Sequence, residues 1–483
     1  MDRLLTRALG IAGLVLLLGS GPGWAQGAPP LTTLSNTSYA TTGGGSGALQ
    51  QDTSGVGNTA FGGSALAANT TGSYNLASGF NALYKNTSGG YNTASGVDAL
   101  YGNTTGIENT ASGFAALFSN TTGNYNTAGG LAALYSNTTG VGNTASGYSA
   151  LYGNTTGGLN TAGGYQALYS NTSGGENTAS GVDALYSNTT GTQNTASGFF
   201  ALFSNITGSN NTASGTQALF ASTSGGYNTA DGFDALYDNT TGEANTASGA
   251  QALYNNTTGT YNTASGLSAL VNNTTGSNNI AFGASAGMSN MTASNNTFLG
   301  TNTDTGGTYT NGTALGYGAV LSASNSIVLG NTSISRIYAE VTSITAISDR
   351  RRKQDIAPLG AELGLDFIAK LQPVSYRFNN GDATRRYGFI AQDLEAALPA
   401  ALIDTVETAP PEHGLALIER QNDPDRTYRV TYGELFAPIV KSIQEQQQQI
   451  AALHQQNADL KAEIAALRRS IEGIRVRQAS AAR

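Results

Sequence analysis

The sequence predicts a mostly β protein: a β-solenoid (β-roll) of 17-residue repeats, followed by a small α/β domain and a C-terminal coiled-coil helix. Three observations carry this. An Asn recurs every 17 residues, from Asn58 through Asn75, Asn92 and Asn109 to Asn296, fifteen times in strict register. At Ser348-Asp349-Arg350-Arg351-Arg352-Lys353 the chain changes character, because residues 54–330 hold one Lys, no Arg and nine acidic residues, whereas these six hold four cations. From Ile443 onward, apolar residues follow a heptad.

The chain of 483 residues has 64 Gly, 11% charged residues, no Cys and a formal charge of −8. The acidic balance leaves no broad basic surface, which argues against a nucleic-acid partner. The first 25 residues read as a secretory signal: Arg3 and Arg7 form the positive end, Ile11 to Leu18 the apolar run, and Gly23-Trp24-Ala25 the small-residue site before Gln26. That apolar run is far short of the ~20 residues that span a bilayer. An exported, secreted or surface-held protein is expected, with no integral membrane segment in the mature chain. Without Cys, its stability outside the cell must come from something other than disulfides.

Residues 26–53 are a Gly/Ser/Thr-rich lead-in, and the repeats occupy 54–330. A typical unit is Asn92-Thr93-Ala94-Ser95-Gly96, two variable residues, Ala99-Leu100-Tyr101, the turn Gly102-Asn103-Thr104-Thr105-Gly106, and two more variable residues. Each unit is expected to hold two short extended pieces and two turns. One unit cannot offset the entropy of ordering its own backbone by burying a Leu and an aromatic, so units must stack as coils. Leu66 and its equivalents are unchanged through Leu270, thirteen copies, as a core ladder requires. The next residue is aromatic in eleven copies, eight Tyr and three Phe. Neighbours on an extended chain face opposite ways, so the aromatic row faces something other than the core. It either packs against a second chain or a folded-over layer, or serves as a platform for glycans or another surface. The Asn and Gly rows read as an amide ladder and positive-φ turns. Regular Thr invites an ice-binding reading, against which the row runs Asn-Thr-Ala and not Thr-x-Thr. The many Asn-x-Thr/Ser sequons read as turn chemistry.

Later units change to Asn279-Ile280-Ala281-Phe282-Gly283, Asn296-Thr297-Phe298-Leu299-Gly300 and Asn325-Ser326-Ile327-Val328-Leu329-Gly330. Over residues 58 to 330 the array resembles the head repeats of trimeric autotransporter adhesins and the related repeats of fibre proteins. The resemblance implies a left-handed parallel β-roll assembled as a trimer. The array departs from it in its period of 17 and in having no membrane-anchoring barrel after it.

In the neck, 331–347, Ile337, Ala339 and Val341 alternate with Tyr338, Glu340 and Thr342, the pattern of a short strand. The domain that follows, 348–440, contains Leu371-Gln372-Pro373-Val374-Ser375-Tyr376, Tyr387-Gly388-Phe389-Ile390-Ala391-Gln392 and Tyr428-Arg429-Val430-Thr431-Tyr432. Together with the Ser348 stretch, these ordered motifs resemble the endosialidase-type intramolecular chaperone domain of phage tail spikes and fibres, a self-cleaving serine-lysine peptidase family. The resemblance implies a module that trimerises the chain, helps the β-structured shaft fold and then cuts itself off. Carried onto this sequence, the cut bond is Ile347–Ser348, with Ser348 as nucleophile and Lys353 as base, and no cofactor or metal. From spacing alone, Ser348-Asp349 reads as a helix N-cap and Lys353 as a solvated side chain. Family members commonly carry a His two residues before the Gly of the Gly-Phe-Ile-Ala-Gln motif, and here that position is Arg386. The two His, His413 and His454, read as loop and coil surface residues.

In the coiled coil, 441–477, one seam position holds Ile443, Ile450, Asn457, Ile464 and Ile471, and the other Gln446, Leu453, Leu460, Leu467 and Ile474. This pattern by itself favours two strands, whereas the family resemblance implies three. The expected protein is a homotrimeric adhesin-like fibre with a single self-cleavage and no external substrate. The rivals are a solenoid that binds a glycan, a surface or ice with an uncut trimerisation domain, and a phage-derived tail fibre, which a signal peptide disfavours.

Overall fold

The computed structural model describes residues 41–334, 356–377, 385–398, 417–420 and 428–481. The signal segment, most of the neck with its expected strand, and Ile347, Ser348, Lys353 and His413 lie outside the described residues. The chain divides into two units, 1–261 and 262–483.

In the first unit each coil contributes one strand of three residues, such as Thr93–Ser95 and Thr110–Ser112. Each strand pairs in parallel with the strand 17 residues on, Thr93 opposite Thr110 and Ala94 opposite Ala111. The expected β-solenoid is present. Among the described residues its pairing begins at Thr42–Gly44, which lies beside Thr59–Phe61 and within the segment read as lead-in.

The second extended piece expected in each coil is instead a turn. Asp98 and Leu100 have φ of 55° and 51°, and the alternation of handedness recurs at the equivalent pair in successive coils. The turn still bonds between coils as a strand would: Leu100 N–H donates to Ala116 O at 2.9 Å, and Asp98 N–H to Phe80 O at 2.9 Å. A left-handed residue costs about 1–2 kcal/mol, but each Leu is fully buried. The conformation also accounts for the row holding Leu and never Ile or Val, since β-branched side chains tolerate positive φ worst. Gly147 serves a related need at φ 141°, where a Cβ would run into the carbonyl of Gly164 in the next coil.

Inside the coil, Ala94, Ala99 and Leu100 are fully buried beside two fully buried amides, Asn92 and Asn103. Asn109 Nδ2 donates to Asn92 Oδ1 at 3.1 Å and to Gly123 O at 2.8 Å, while its backbone N–H donates to the same Oδ1 at 3.0 Å. In the second ladder Asn120 Nδ2 donates to Asn103 Oδ1 at 2.8 Å and to Gly123 O at 3.0 Å. Two buried polar columns are thereby satisfied coil by coil. Thr104 Oγ1 donates to Thr121 O at 2.9 Å, so this Thr row is taken up by the fold.

In the second unit the strands Thr263–Ser265, Ile280–Phe282, Thr297–Leu299, Thr313–Leu315 and Ile327–Leu329 continue the parallel pattern. Here Gly287 replaces the ladder Leu and Phe298 replaces the strand Ala. A Cβ on Gly287 would meet Phe298 Cδ2 at 2.7 Å, so the fully buried Phe fills the space that the Leu vacates.

The C-terminal part contains the helices Leu365–Lys370 and Ala391–Ala397 and two antiparallel hairpins, Val374–Tyr376 with Arg386–Gly388 and Ile418–Arg420 with Tyr428–Val430. A helix of 46 residues, Phe436–Ala481, follows. The expected small α/β domain and C-terminal helix are both present. Phe367, Leu394, Leu398, Leu417, Ile418 and Leu435 form the domain's core. Among the described residues, no helix is long and apolar enough to cross a membrane.

Candidate functional site

The C-terminal domain holds its long helix through polar contacts at the helix's first turns. Glu445 Oε2 accepts the N–H of Leu365, the first residue of the short helix, at 2.7 Å. Lys441 Nζ stands 3.5 Å from the other oxygen of the same carboxylate. A carboxylate suits a helix N-terminus, where unpaired N–H groups point outward. Tyr432, just before the long helix, accepts Phe389 N–H at its Oη at 3.1 Å. Arg386, in the place of the expected His, lies opposite Tyr376 in the hairpin. Burial pushes the Tyr376 hydroxyl up, Tyr432 adds to this by charge and by hydrogen bond, and Arg386 pulls the other way. Arg386 thus belongs to a cluster with Tyr376 and Tyr432 that joins hairpin to helix. Ile347, Ser348 and Lys353 lie outside the described residues.

Beyond that anchor, the long helix is uncovered. Ile450, Leu460 and Leu467 of the heptad seam are 45%, 58% and 62% exposed. His454 is exposed on the same helix, as expected of a coil surface residue.

The solenoid presents a strand face, an aromatic face and a further outward row directly before the Asn of the first ladder. In that row Tyr74, Tyr91, Tyr125, Leu159, Tyr227 and Tyr261 are 53–69% exposed, and Glu108, Glu176 and Gln193 interrupt it. On the strand face Thr and Ser point outward around the buried Ala, as in Thr110-Ala111-Ser112. The reading that discounted this row as Asn-Thr-Ala overlooked the Ser, which supplies a second hydroxyl row. Gly129, Gly163 and Asp231 interrupt that row.

The other face is aromatic. The row after the ladder Leu forms a continuous stack, with ring centroids from 4.9 Å for Tyr101–Phe118 to 5.4 Å for Phe203–Phe220. These rings are half-buried, so the row does face outward, and much of its packing is with itself. Beside it runs a row that sequence reasoning passed over as variable: Phe80, Val97, Phe114, Leu131, Tyr148, Tyr165, Val182 and Phe199. Its Phe80 and Phe114 are each 55% exposed. Phe199 reaches Phe200 at 3.9 Å, and Phe200 reaches Phe203 of the stacked row at 5.1 Å, so the two rows share one face. The signal was present in the sequence as persistent apolarity without a fixed residue type.

No curated protein matches the chain. Residues 348–403 match the family described as chaperone of endosialidase, a segment that takes in the Leu365–Lys370 helix, the first hairpin and the Ala391–Ala397 helix. The match opens on Ser348, where the sequence changes character, and over these residues the chain is similar to the chaperone-of-endosialidase family.

Proposed function

We propose that this chain is an exported, fibre-forming homotrimer in which the C-terminal chaperone domain brings three copies together, assists folding of the solenoid and then releases itself. The observation that carries the reading is the order of parts: a β-solenoid, then a chaperone-of-endosialidase match that begins at Ser348, then a helix whose apolar seam is bare in the single chain. A seam of this kind is stable only against other helices, and linking the copies raises their effective concentration for every upstream contact.

In the proposed release, Ser348 Oγ attacks the carbonyl carbon of Ile347 through a five-membered ring. Neutral Lys353 takes the hydroxyl proton and returns it to the departing nitrogen. The peptide C–N bond breaks, an ester joins Ile347 to Ser348 Oγ, and the α-amine of Ser348 is freed. Water then opens the ester, leaving a carboxylate on Ile347 and the hydroxyl on Ser348. Three neighbouring arginines, Arg350, Arg351 and Arg352, disfavour a fourth cation and so favour the neutral amine. The adhesive role rests on resemblance to fibre heads, and the solenoid's outward rows are where a cell surface or glycan would bind.

The test is a denaturing gel with intact mass of the purified protein beside Ser348→Ala. A fragment of residues 348–483 in the wild type, absent in the variant, is the expected result. If both chains stay whole, the domain is a retained trimerisation module, and Arg386 in place of His is the first position to revert.

A further inference from the structure

We infer that the aromatic face of the solenoid is where copies of this chain pack on one another along the shaft. The inference rests on the self-assembly proposed above and assigns the surface that assembly uses.

The first argument is extent. Large apolar side chains at the two rows between Phe80 and Tyr254 number twenty. Eight of them are more than a third exposed and the stacked rings are half-buried. At roughly 50–100 Å² uncovered each, the face offers on the order of 1,000–1,500 Å² per copy. The largest patch on a typical monomer is about 300–600 Å², and a stable interface needs about 800 Å² per partner. This face therefore exceeds what a lone soluble chain ordinarily exposes.

The second argument is charge. The two rows and the row between them carry no Lys or Arg, and their only charged residues are Asp98, Asp183 and Asp234. At the edge of the stack Lys85 Nζ stands 5.1 Å from the centre of the Tyr101 ring, and the Asp238 charge bears on Tyr237 and Tyr254. A face almost without charge suits the centre of an interface, whereas the hydroxyls of the strand face suit water.

The third argument is who can reach it. The bare heptad seam selects a second copy of this same chain, and its flanking charges select direction. With copies parallel, Glu463 of one helix meets Arg468 of the next, five residues on. Antiparallel packing would set the flanking cations Lys461, Arg468 and Arg475 against one another. Parallel copies joined at one end bring equivalent coils to the same height, so equal rows can face each other about a common axis.

The absence of Cys makes a direct test possible. Leu131→Cys and Val182→Cys place one thiol on the aromatic face, Thr144→Cys one on the strand face, and Leu460→Cys one in the helix seam. Each variant is made in the Ser348→Ala background, so that the helix stays on the chain, and is oxidised while native. Linked pairs are read on a denaturing gel, with native mass and circular dichroism confirming assembly and fold. The inference expects linked pairs from Leu460→Cys and from both aromatic-face variants, and none from Thr144→Cys. Linkage at Thr144 in place of the aromatic face overturns it. Linkage at Leu460 alone also overturns it, while leaving self-assembly intact. A monomeric mass with no linkage anywhere removes the self-assembly on which it rests.

Discussion

At the scale of the residue, the solenoid interior is held by amides that have no slack. The second Asn ladder is interrupted once in the first unit, at Ser222, which is fully buried. There the hydroxyl of Ser222 and Oδ1 of Asn205 lack partners. A serine is too short to donate to the coil before it. Ser222→Asn would restore both bonds, and relief of an unsatisfied buried acceptor is worth about 1–3 kcal/mol. The expected outcome is a higher thermal midpoint by calorimetry, with an unchanged circular dichroism spectrum. Asp183 is the opposite case, a carboxylate against the aromatic face with an unpartnered Oδ1. Burial pushes its pKa up to about 6 from 3.8. Its charge bears on Tyr165, which carries a raised pKa for burial first and then for Tyr148, Asp183 and Tyr186. A carboxyl raised in the folded state binds more protons folded than unfolded. Its contribution is therefore present at acid pH and lost as pH rises from about 4 through about 6. Melting curves across that range should show the solenoid losing stability as pH rises, and Asp183→Asn should flatten the slope.

At the scale of the element, the repeats were legible because every coil asks the same thing of the same position. The 17-residue period, the Leu core row and the amide ladder of Asn58 and its equivalents could be read from residues alone, whereas the second ladder, through Asn103 and Asn120, reads from sequence only as a turn. The backbone of the Ala-Leu-aromatic run could not, since a left-handed Leu is locally unfavourable and is sustained only by the coils above and below it. Periodicity reports which way a side chain faces and not which φ achieves it. The second apolar row was missed for a related reason: Phe80, Val97, Phe114 and Leu131 share a face but not an identity. In the C-terminal part the heptad was plain, and the structure adds that Glu445 fastens the helix to Leu365 near the start of the seam. Leu460→Asp places a charge in that seam, far from the domain core. It should lower the native mass to that of the single chain, or shift assembly to much higher concentration, with helix Leu365–Lys370 and its core unaffected. Analytical ultracentrifugation against the wild type reads this.

At the scale of the whole molecule, the chain combines a region that is hard to start folding with one that can start it. A parallel solenoid nucleates slowly, because one coil is unstable alone and its useful contacts lie 17 residues away. Under the proposed function, a C-terminal domain that gathers copies supplies the nucleus. The catalytic assignment to Ser348 and Lys353 came from ordered family motifs, since a serine and a lysine five residues apart have no distinctive spacing. The similarity to that family over residues 348–403 takes in both residues. The measurement that tests the account most directly is expression of the chain ended at Ile347, without residues 348–483, beside the full chain. The account predicts that the shortened array collects in the insoluble fraction, or remains a monomer without native β-structure. A soluble trimer with the full protein's circular dichroism and melting profile would contradict it, because the solenoid would then need no chaperone to find its fold.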